Sequence, residues 1–317
     1  MEVLRHIRKR LTCGALRLGM EISQRTHSSG VVEALRAMLL AFGRTAVPVR
    51  RRLAQNMKLA GVYRQELIDA YFARAVDQLV MLGHVLRAGF PNSGCPERFQ
   101  FDDSFHLLEQ AYAAGRGVIS IAPHICGYPV YGAVVSSRIP CSIYLRRNTD
   151  PNKMRITEAV GIAGNGHLVA PPPGATKAQR LNVALDVLRQ GKMLFITPDT
   201  PRKPNEGVRV TVFNRTVYFP TGVFVMSLRT GAPVVPVVWH WDGNAYGLRY
   251  GEPIELSRGG GMKEKAERAM RHWATSVDNF LRAHPEMWWN WLDKRWTHII
   301  RSDGRSPRLA GQNPTLV

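Results

Sequence analysis

Gly117-Val-Ile-Ser-Ile-Ala-Pro-His124-Ile-Cys-Gly-Tyr-Pro129 is the stretch that decides how this chain reads. Its β-branched run, bounded by Gly117 and Pro123, predicts a short buried strand over residues 117–122. A histidine follows, and then a glycine and a proline that can open a turn or a helix. That order sets an imidazole at the carboxyl end of a strand, where α/β sheets place their ligands. A neutral imidazole in such a place can take a proton from a hydroxyl or an amine near neutral pH. A histidine packed into a core has the same local sequence, so the surrounding chain must decide between the two.

Downstream of this stretch, strand and helix patterns alternate. Cys141–Leu145, Lys192–Thr197, Val208–Phe213 and Pro233–Trp239 read as strands. Helices are predicted from Ser104 to Ala114, Lys177 to Gln190, Thr221 to about Arg229, and over 262–283. Alternation of this kind predicts an α/β fold with a central mixed, mostly parallel sheet flanked by helices. Residues 1–98 read instead as an N-terminal helical segment, and the turn-rich Gly89-Phe-Pro-Asn-Ser-Gly-Cys-Pro96 marks a boundary before an α/β domain over 99–301. The tail, 302–317, is polar and Pro/Gly-rich and reads as flexible.

Charge sets the N-terminal segment apart. The 317 residues carry 43 Lys+Arg against 24 Asp+Glu, a formal net charge of +19, which attracts polyanions, anionic membranes, phosphorylated ligands or an acidic carrier protein. Arg5, Arg8, Lys9, Arg10 and Arg50-Arg51-Arg52 flank the amphipathic run Val31–Phe42, in which Val31, Leu35, Met38 and Phe42 share a face. Basic groups beside an apolar face are the composition of a helix lying on anionic lipid; they are equally that of a helical cap with a solvated basic side. No apolar run reaches the roughly 18 residues needed to cross a bilayer. The basic, interrupted N-terminus is no secretory leader, so the chain is expected to be soluble or peripheral and to face the cytoplasm.

Several chemistries lack their sequence marks. Cys13, Cys95, Cys126 and Cys141 form no C-x-x-C pair and no zinc spacing, and the histidines include no H-E-x-x-H, so no metal is expected. Gly161-Ile-Ala-Gly-Asn-Gly166 has its glycines in the wrong order for a dinucleotide loop, and neither a phosphate loop nor a G-x-S-x-G elbow occurs. A nucleic-acid binder is supported by charge alone, with no reading motif, and Trp288, Trp289, Trp291 and Trp296 read as packing more than as a base-stacking platform.

Five blocks in order carry a resemblance. They are His124 after an apolar strand; Gly191-Lys-Met-Leu-Phe-Ile-Thr-Pro-Asp199; Gly207-Val-Arg-Val-Thr-Val-Phe213; Tyr218-Phe-Pro-Thr-Gly222 running on to Arg229-Thr-Gly-Ala-Pro-Val-Val-Pro236; and His284-Pro-Glu-Met-Trp-Trp-Asn-Trp-Leu-Asp-Lys-Arg-Trp296. Over about residues 100–300 the chain resembles the lysophospholipid-acyltransferase superfamily, in particular its late-acting lipid A (lauroyl/myristoyl) acyltransferase branch. The resemblance implies direct transfer of a fatty acyl group from an acyl-carrier-protein or acyl-CoA thioester to a hydroxyl, or an amine, of a lipid acceptor. The reaction would run at the cytoplasmic face of the inner membrane, with no metal or redox cofactor and with anionic membrane lipid as a partner. It leaves the oligomeric state open.

In that family's signature, four residues separate the histidine from an acid. His124 matches the base, but the acid's position falls on Pro129. The acid's task is to hold the imidazole in the productive tautomer and to stabilise the imidazolium, and proline does neither. Three outcomes are open: Asp199, at another strand end, supplies the carboxylate; His124 works without one; or the chain has lost acyl transfer and keeps acyl-chain or membrane binding. Cys126 beside the histidine adds the idea of an acyl-cysteine intermediate, against a small residue filling a turn. Arg146, Arg147, Arg202, Lys203 and Arg209 lie near strand ends, where they could grip phosphate or carboxylate, with Thr221 and Gly222 completing the substrate-binding set. Backbone N–H groups near Gly127 or Gly222 are the expected oxyanion donors.

Overall fold

A computed structural model describes residues 29–88, 96–145, 158, 167–172 and 174–302 of the chain. The basic cluster at 5–10, Cys13, Cys95, the break at 89–95, Arg146 and Arg147, the glycine motif at 161–166 and the tail from 303 onward lie outside the described residues.

In chain order the strands are β1 Phe99–Phe101, β2 Val118–Ile121, β3 Cys141–Tyr144, β4 His167–Val169, β5 Met193–Ile196, β6 Val208–Val212, β7 Arg215–Phe219, β8 Val234–Trp241 and β9 Tyr246–Tyr250. The described helices are α1 Ser29–Thr45, α2 Val47–Ala60, α3 Gln65–Ala88, α4 Phe105–Ala113, α5 Tyr128–Ser136, α6 Lys177–Arg189, α7 Gly222–Thr230, α8 Met262–Ala283 and α9 Lys294–Arg301. Seven strands form one sheet in the order β1-β9-β8-β2-β5-β3-β4, and every neighbouring pair is parallel except β8 with β9. The sheet is therefore mixed and mostly parallel, as the alternating pattern predicts.

β2 sits at its centre. All four residues of β2 are buried, and because successive side chains point to opposite faces, both faces of the strand are covered. That is why three of its four residues are β-branched and apolar, and why the fourth, Ser120, is buried with its hydroxyl 3.1 Å from that of Tyr131. β6 and β7 form a separate antiparallel pair with alternating burial in β6, the mark of a sheet with one face outward. Their two-residue turn, Phe213–Asn214, has positive φ at both positions (51° and 59°), the twist that a tight hairpin requires. Asparagine accepts that conformation; phenylalanine does so at a cost. Phe213 is held there by its N–H donating to Asp278 of α8 at 2.7 Å and by its ring packing on Trp288 and Trp291.

Helix ends follow local chemistry. Thr176 and Gln179 form a reciprocal capping box at the start of α6. α2 has Pro48 in its first turn and closes on left-handed Gly61. α2 and α3 contribute Leu53, Met57, Leu67, Ile68, Tyr71 and Val85 to the same apolar core as the sheet. α1 is attached more thinly. Leu35 is buried, Leu39 and Leu40 pack on Val76 and Val80 of α3, and Arg36 pairs with the fully buried Asp77 at 3.0 Å. Of the stripe Val31, Leu35, Met38 and Phe42, Leu35 is buried, but Met38 and Phe42 are each 53% exposed, because the contact with α3 is made by Leu35, Leu39 and Leu40 on the side turned toward Val76 and Val80. Among the described residues no helix is long and apolar enough to cross a membrane.

Candidate active site

The register of the sheet builds this site. β2 and β5 are adjacent and parallel, with Ile121 opposite Ile196. His124 and Asp199 each lie three residues beyond that registered pair, so the two chains leave the sheet side by side and bring imidazole and carboxylate together at its carboxyl edge. Asp199 Oδ1 is hydrogen-bonded to His124 Nδ1. Asp199 Oδ2 accepts from the His124 backbone N–H at 2.9 Å and from Asn290 Nδ2 at 3.2 Å. The Asp199 carbonyl accepts from the Trp296 indole N–H at 3.2 Å.

An ionised carboxylate only accepts, so the hydrogen of the Asp199–His124 bond belongs to Nδ1. In the neutral ring Nε2 is then the acceptor, and the Thr197 hydroxyl lies 3.1 Å from it, placed to donate. The Asp199 side chain is 1% exposed and that of His124 19%, so the acid is sealed and the imidazole remains reachable. The Tyr128 ring meets the imidazole edge-on at 4.9 Å. Burial pushes the Tyr128 hydroxyl up to about 12, and the Asp199 carboxylate adds to the effect.

The loop carrying His124 is fixed from three directions. The His124 carbonyl accepts from Trp289 N–H at 2.9 Å, and Cys126 N–H donates to the Met287 carbonyl at 2.7 Å. The Cys126 carbonyl accepts from the Trp239 indole of β8 at 2.7 Å, and Gly127 N–H donates to Gln78 Oε1 of α3 at 2.9 Å. Gly127 has φ +95°, and a Cβ there would meet Trp239 and Phe99 at 3.1 and 3.3 Å, so only glycine fits. Trp288, Trp291 and Trp296 are fully buried and stack edge to face, so these indoles are core, as their spacing predicts.

Two expectations need correction. Cys126 is fully buried, and burial pushes its thiol far above the ordinary range; a protonated sulfur facing the core is a packing group and cannot serve as an acyl-carrying nucleophile. Gly127 is no oxyanion donor, because its N–H is already taken by Gln78.

Of the basic candidates, Arg202, Lys203 and Arg209 fall within the described residues. The Arg202 backbone N–H donates to the Tyr218 carbonyl at 2.9 Å, and its charge acts on Tyr144 at the end of β3. Lys203 is exposed beyond β5, and Arg209 is exposed on β6 opposite Tyr218. Thr221 stands at the N-cap of α7 without a side-chain cap bond, and Gly222 begins that helix on the surface. Among the described residues, no hydrogen bond or ion pair joins Lys203, Arg209, Thr221 or Gly222 to His124 or Asp199. No three His, Cys, Asp or Glu side chains converge as metal ligands would among the described residues.

Three contributors went unread in the sequence: Thr197, Asn290 and Trp296. Thr197 had a usable signal, because residues two apart at a strand end point to the same side and Thr197 is two before Asp199. Asn290 and Trp296 are brought in by the 284–296 segment, whose contact with the sheet edge is purely tertiary.

A family model described as bacterial lipid A biosynthesis acyltransferase matches residues 32–298, a span that includes the whole sheet and both members of the pair. No curated protein matches the chain.

Proposed function

We propose, from the premise that this chain belongs to the bacterial lipid A biosynthesis acyltransferase family, that His124 is its general base and Asp199 the carboxylate that serves it. The protein is an acyltransferase, and its family takes an acyl group from a thioester to a lipid acceptor. The observation that carries the assignment is the continuous line from Asp199 Oδ1 through the imidazole to an Nε2 that faces only the Thr197 hydroxyl among the described hydrogen bonds.

The chemistry follows from that line. Nε2 takes the proton of the attacking hydroxyl as its oxygen closes on the thioester carbonyl, and the ring becomes an imidazolium. Asp199 holds the ring in the tautomer that leaves Nε2 unprotonated and stabilises the charge that appears. The imidazolium then returns the proton to the departing thiolate. No metal and no redox cofactor is needed for these steps. The donor is acyl carrier protein or coenzyme A in thioester form, and the acceptor offers a hydroxyl or an amine.

The place of action is the cytoplasmic face of the inner membrane. What supports this is α1, whose outward face presents Met38, Phe42 and three alanines (Ala34, Ala37, Ala41), with Val47 exposed just beyond and Arg44, Arg51 and Arg52 alongside. An apolar strip with a basic margin lies in the interface of an anionic bilayer. Arg202 and Lys203 remain the candidates for phosphate on donor or acceptor, and Arg209, Thr221 and Gly222 are assigned to the same surface.

The test is thiol release from acyl carrier protein and acyl-CoA thioesters in the presence of a membrane lipid extract. His124→Ala should lower kcat by about 10³-fold or more, the loss expected on removing a base and its relay. Turnover unchanged in this variant would reject the assigned base.

A further inference from the structure

Where α1, α2 and α3 meet, the surface opens into a cavity of about 260 Å³. Three arginines, Arg44, Arg50 and Arg51, and the amide of Gln65 line it, with Val47 and Ile68 among its apolar residues. Arg50 is held in place: it pairs with Asp69 at 2.7 Å, and its guanidinium lies 5.6 Å from the centre of the Phe72 ring. Arg44 and Arg51 are exposed, and among the described residues neither guanidinium takes a hydrogen bond or an ion pair. Arg44 stands in the last turn of α1, where a cation suits the helix dipole; Arg51 has no such use. Gln65 Oε1 accepts from the Tyr63 hydroxyl, which leaves the amide NH₂ to donate. The cavity therefore offers donors and positive charge, with Asp69 the carboxylate that pairs with its arginines.

We propose that this cavity seats the phosphate of one anionic membrane phospholipid, whose chains run over the exposed side of α1. This rests on the reading of α1 as the membrane-facing element. A phosphate is all acceptor, and guanidinium groups take it in bidentate fashion. The volume falls below the roughly 300–1,000 Å³ of clefts that enclose a whole small molecule, so a headgroup enters and the chains stay outside. Val47 directs the site toward lipid. It lines the cavity and is itself 46% exposed, continuing the apolar strip of Met38 and Phe42. An anion with an apolar tail covers both features, whereas a soluble phosphate leaves the strip bare. α3 then ties the headgroup to the chemistry. Gln65 and Ile68 line the cavity, and Gln78 of the same helix accepts from Gly127 N–H, on the loop that carries His124, at 2.9 Å. At 1.5 Å per residue those positions are about 15–20 Å apart along the axis. A seated headgroup thus fixes the reach from the lipid phosphate plane to the His124 loop.

The experiment titrates the full chain by calorimetry with dihexanoyl-phosphatidylglycerol below its micelle concentration, and in parallel with dihexanoyl-phosphatidylcholine and with inorganic phosphate. The expected result is saturable binding of one phosphatidylglycerol per chain, with the other two probes at least about tenfold weaker. Arg44→Gln and Arg51→Gln should each weaken that binding about tenfold. Arg52→Gln makes the same change of charge one residue further along α2, outside the cavity lining, and should leave it unchanged. Equal losses in Arg51→Gln and Arg52→Gln would mean a diffuse field and overturn the proposal. Inorganic phosphate binding as tightly as the lipid would overturn it too. If the soluble lipid does not bind while the wild-type chain still floats with phosphatidylglycerol vesicles, the headgroup site is lost and the membrane face of α1 stands. A chain that floats with no vesicle sinks both.

Discussion

Asp199→Asn isolates the carboxylate's charge from its shape, and the site fixes what the amide must do. Asp199 Oδ2 faces two donors, the His124 N–H and Asn290 Nδ2. An amide in this position has to turn its oxygen toward them, which leaves its NH₂ facing His124 Nδ1. Nδ1 must then accept, the ring hydrogen moves to Nε2, and Nε2 can no longer take a proton. A second loss comes from the imidazolium that forms in the transition state. A charge pair about 4 Å apart at an effective dielectric near 20 is worth about 4 kcal/mol, or about three powers of ten in rate. Wrong tautomer and lost charge are two faces of one change, so they do not multiply fully; kcat should fall about 10³- to 10⁴-fold. KM should move little, because Asp199 is sealed from the substrate side. Steady-state thiol release with saturating donor and varied lipid measures both. A kcat within about tenfold of wild type, less than 1.4 kcal/mol, would refute the relay, as would a loss confined to KM.

Other consequences are open to measurement. Asp77 is fully buried and ion-paired with Arg36 and Arg74, both at 3.0 Å, with Arg98 at 3.7 Å; Asp77→Asn leaves the buried Arg74 uncompensated and should cost about 3–5 kcal/mol in urea unfolding. Burial lowers the His284 pKa from 6.5, so between that lowered value and 6.5 the unfolded chain binds more protons. Stability from this residue is present above that window and lost as pH falls through it, and His284→Gln should flatten the decline in melting temperature on acidification. A variant with the same slope would exclude this histidine as its source. Met38→Glu combined with Phe42→Glu removes the apolar strip of α1; at about 1.5–3 kcal/mol per buried side chain, flotation with anionic vesicles should weaken at least tenfold while the melting temperature holds.

How far the sequence could be read depended on where burial left a pattern. β2, β5 and β8 are apolar runs between turn residues, and their positions follow from the sequence to within one or two residues. α8 runs over Met262–Ala283, the span its period predicts. β7 and β9 were missed for separate reasons. β7 follows a hairpin turn whose first residue is phenylalanine, not glycine, so nothing announces it. β9, Tyr-Gly-Leu-Arg-Tyr, carries an interior glycine and an exposed Arg249 that dilute the strand signal. In the site, His124 and Asp199 were legible because both end strands, while Cys126 looked available because sequence does not say which way a turn residue points. Asn290 was hidden in a tryptophan-rich segment that reads only as packing, and its amide reaches Asp199 only once the indoles beside it are buried.

Pro129, where the resemblance leads one to expect an acid, is compatible with the same register that brings Asp199 to His124. Pro129 stands in the first turn of α5, where a helix has no use for a backbone N–H, so the residue costs the helix nothing. A carboxylate there would approach the imidazole from the helix side, while Asp199 already reaches Nδ1 from β5. Two acids on one ring would compete for a single hydrogen and repel each other in a closed site. One acid alone must bear the cost of burial, and Asp199 does so with three donors on its oxygens, two of which, the His124 N–H and Asn290 Nδ2, stay in place whatever the ring's protonation. The carboxylate is therefore anchored independently of the imidazole, so in the proposed transfer the ring would keep its orientation while its charge appears and disappears.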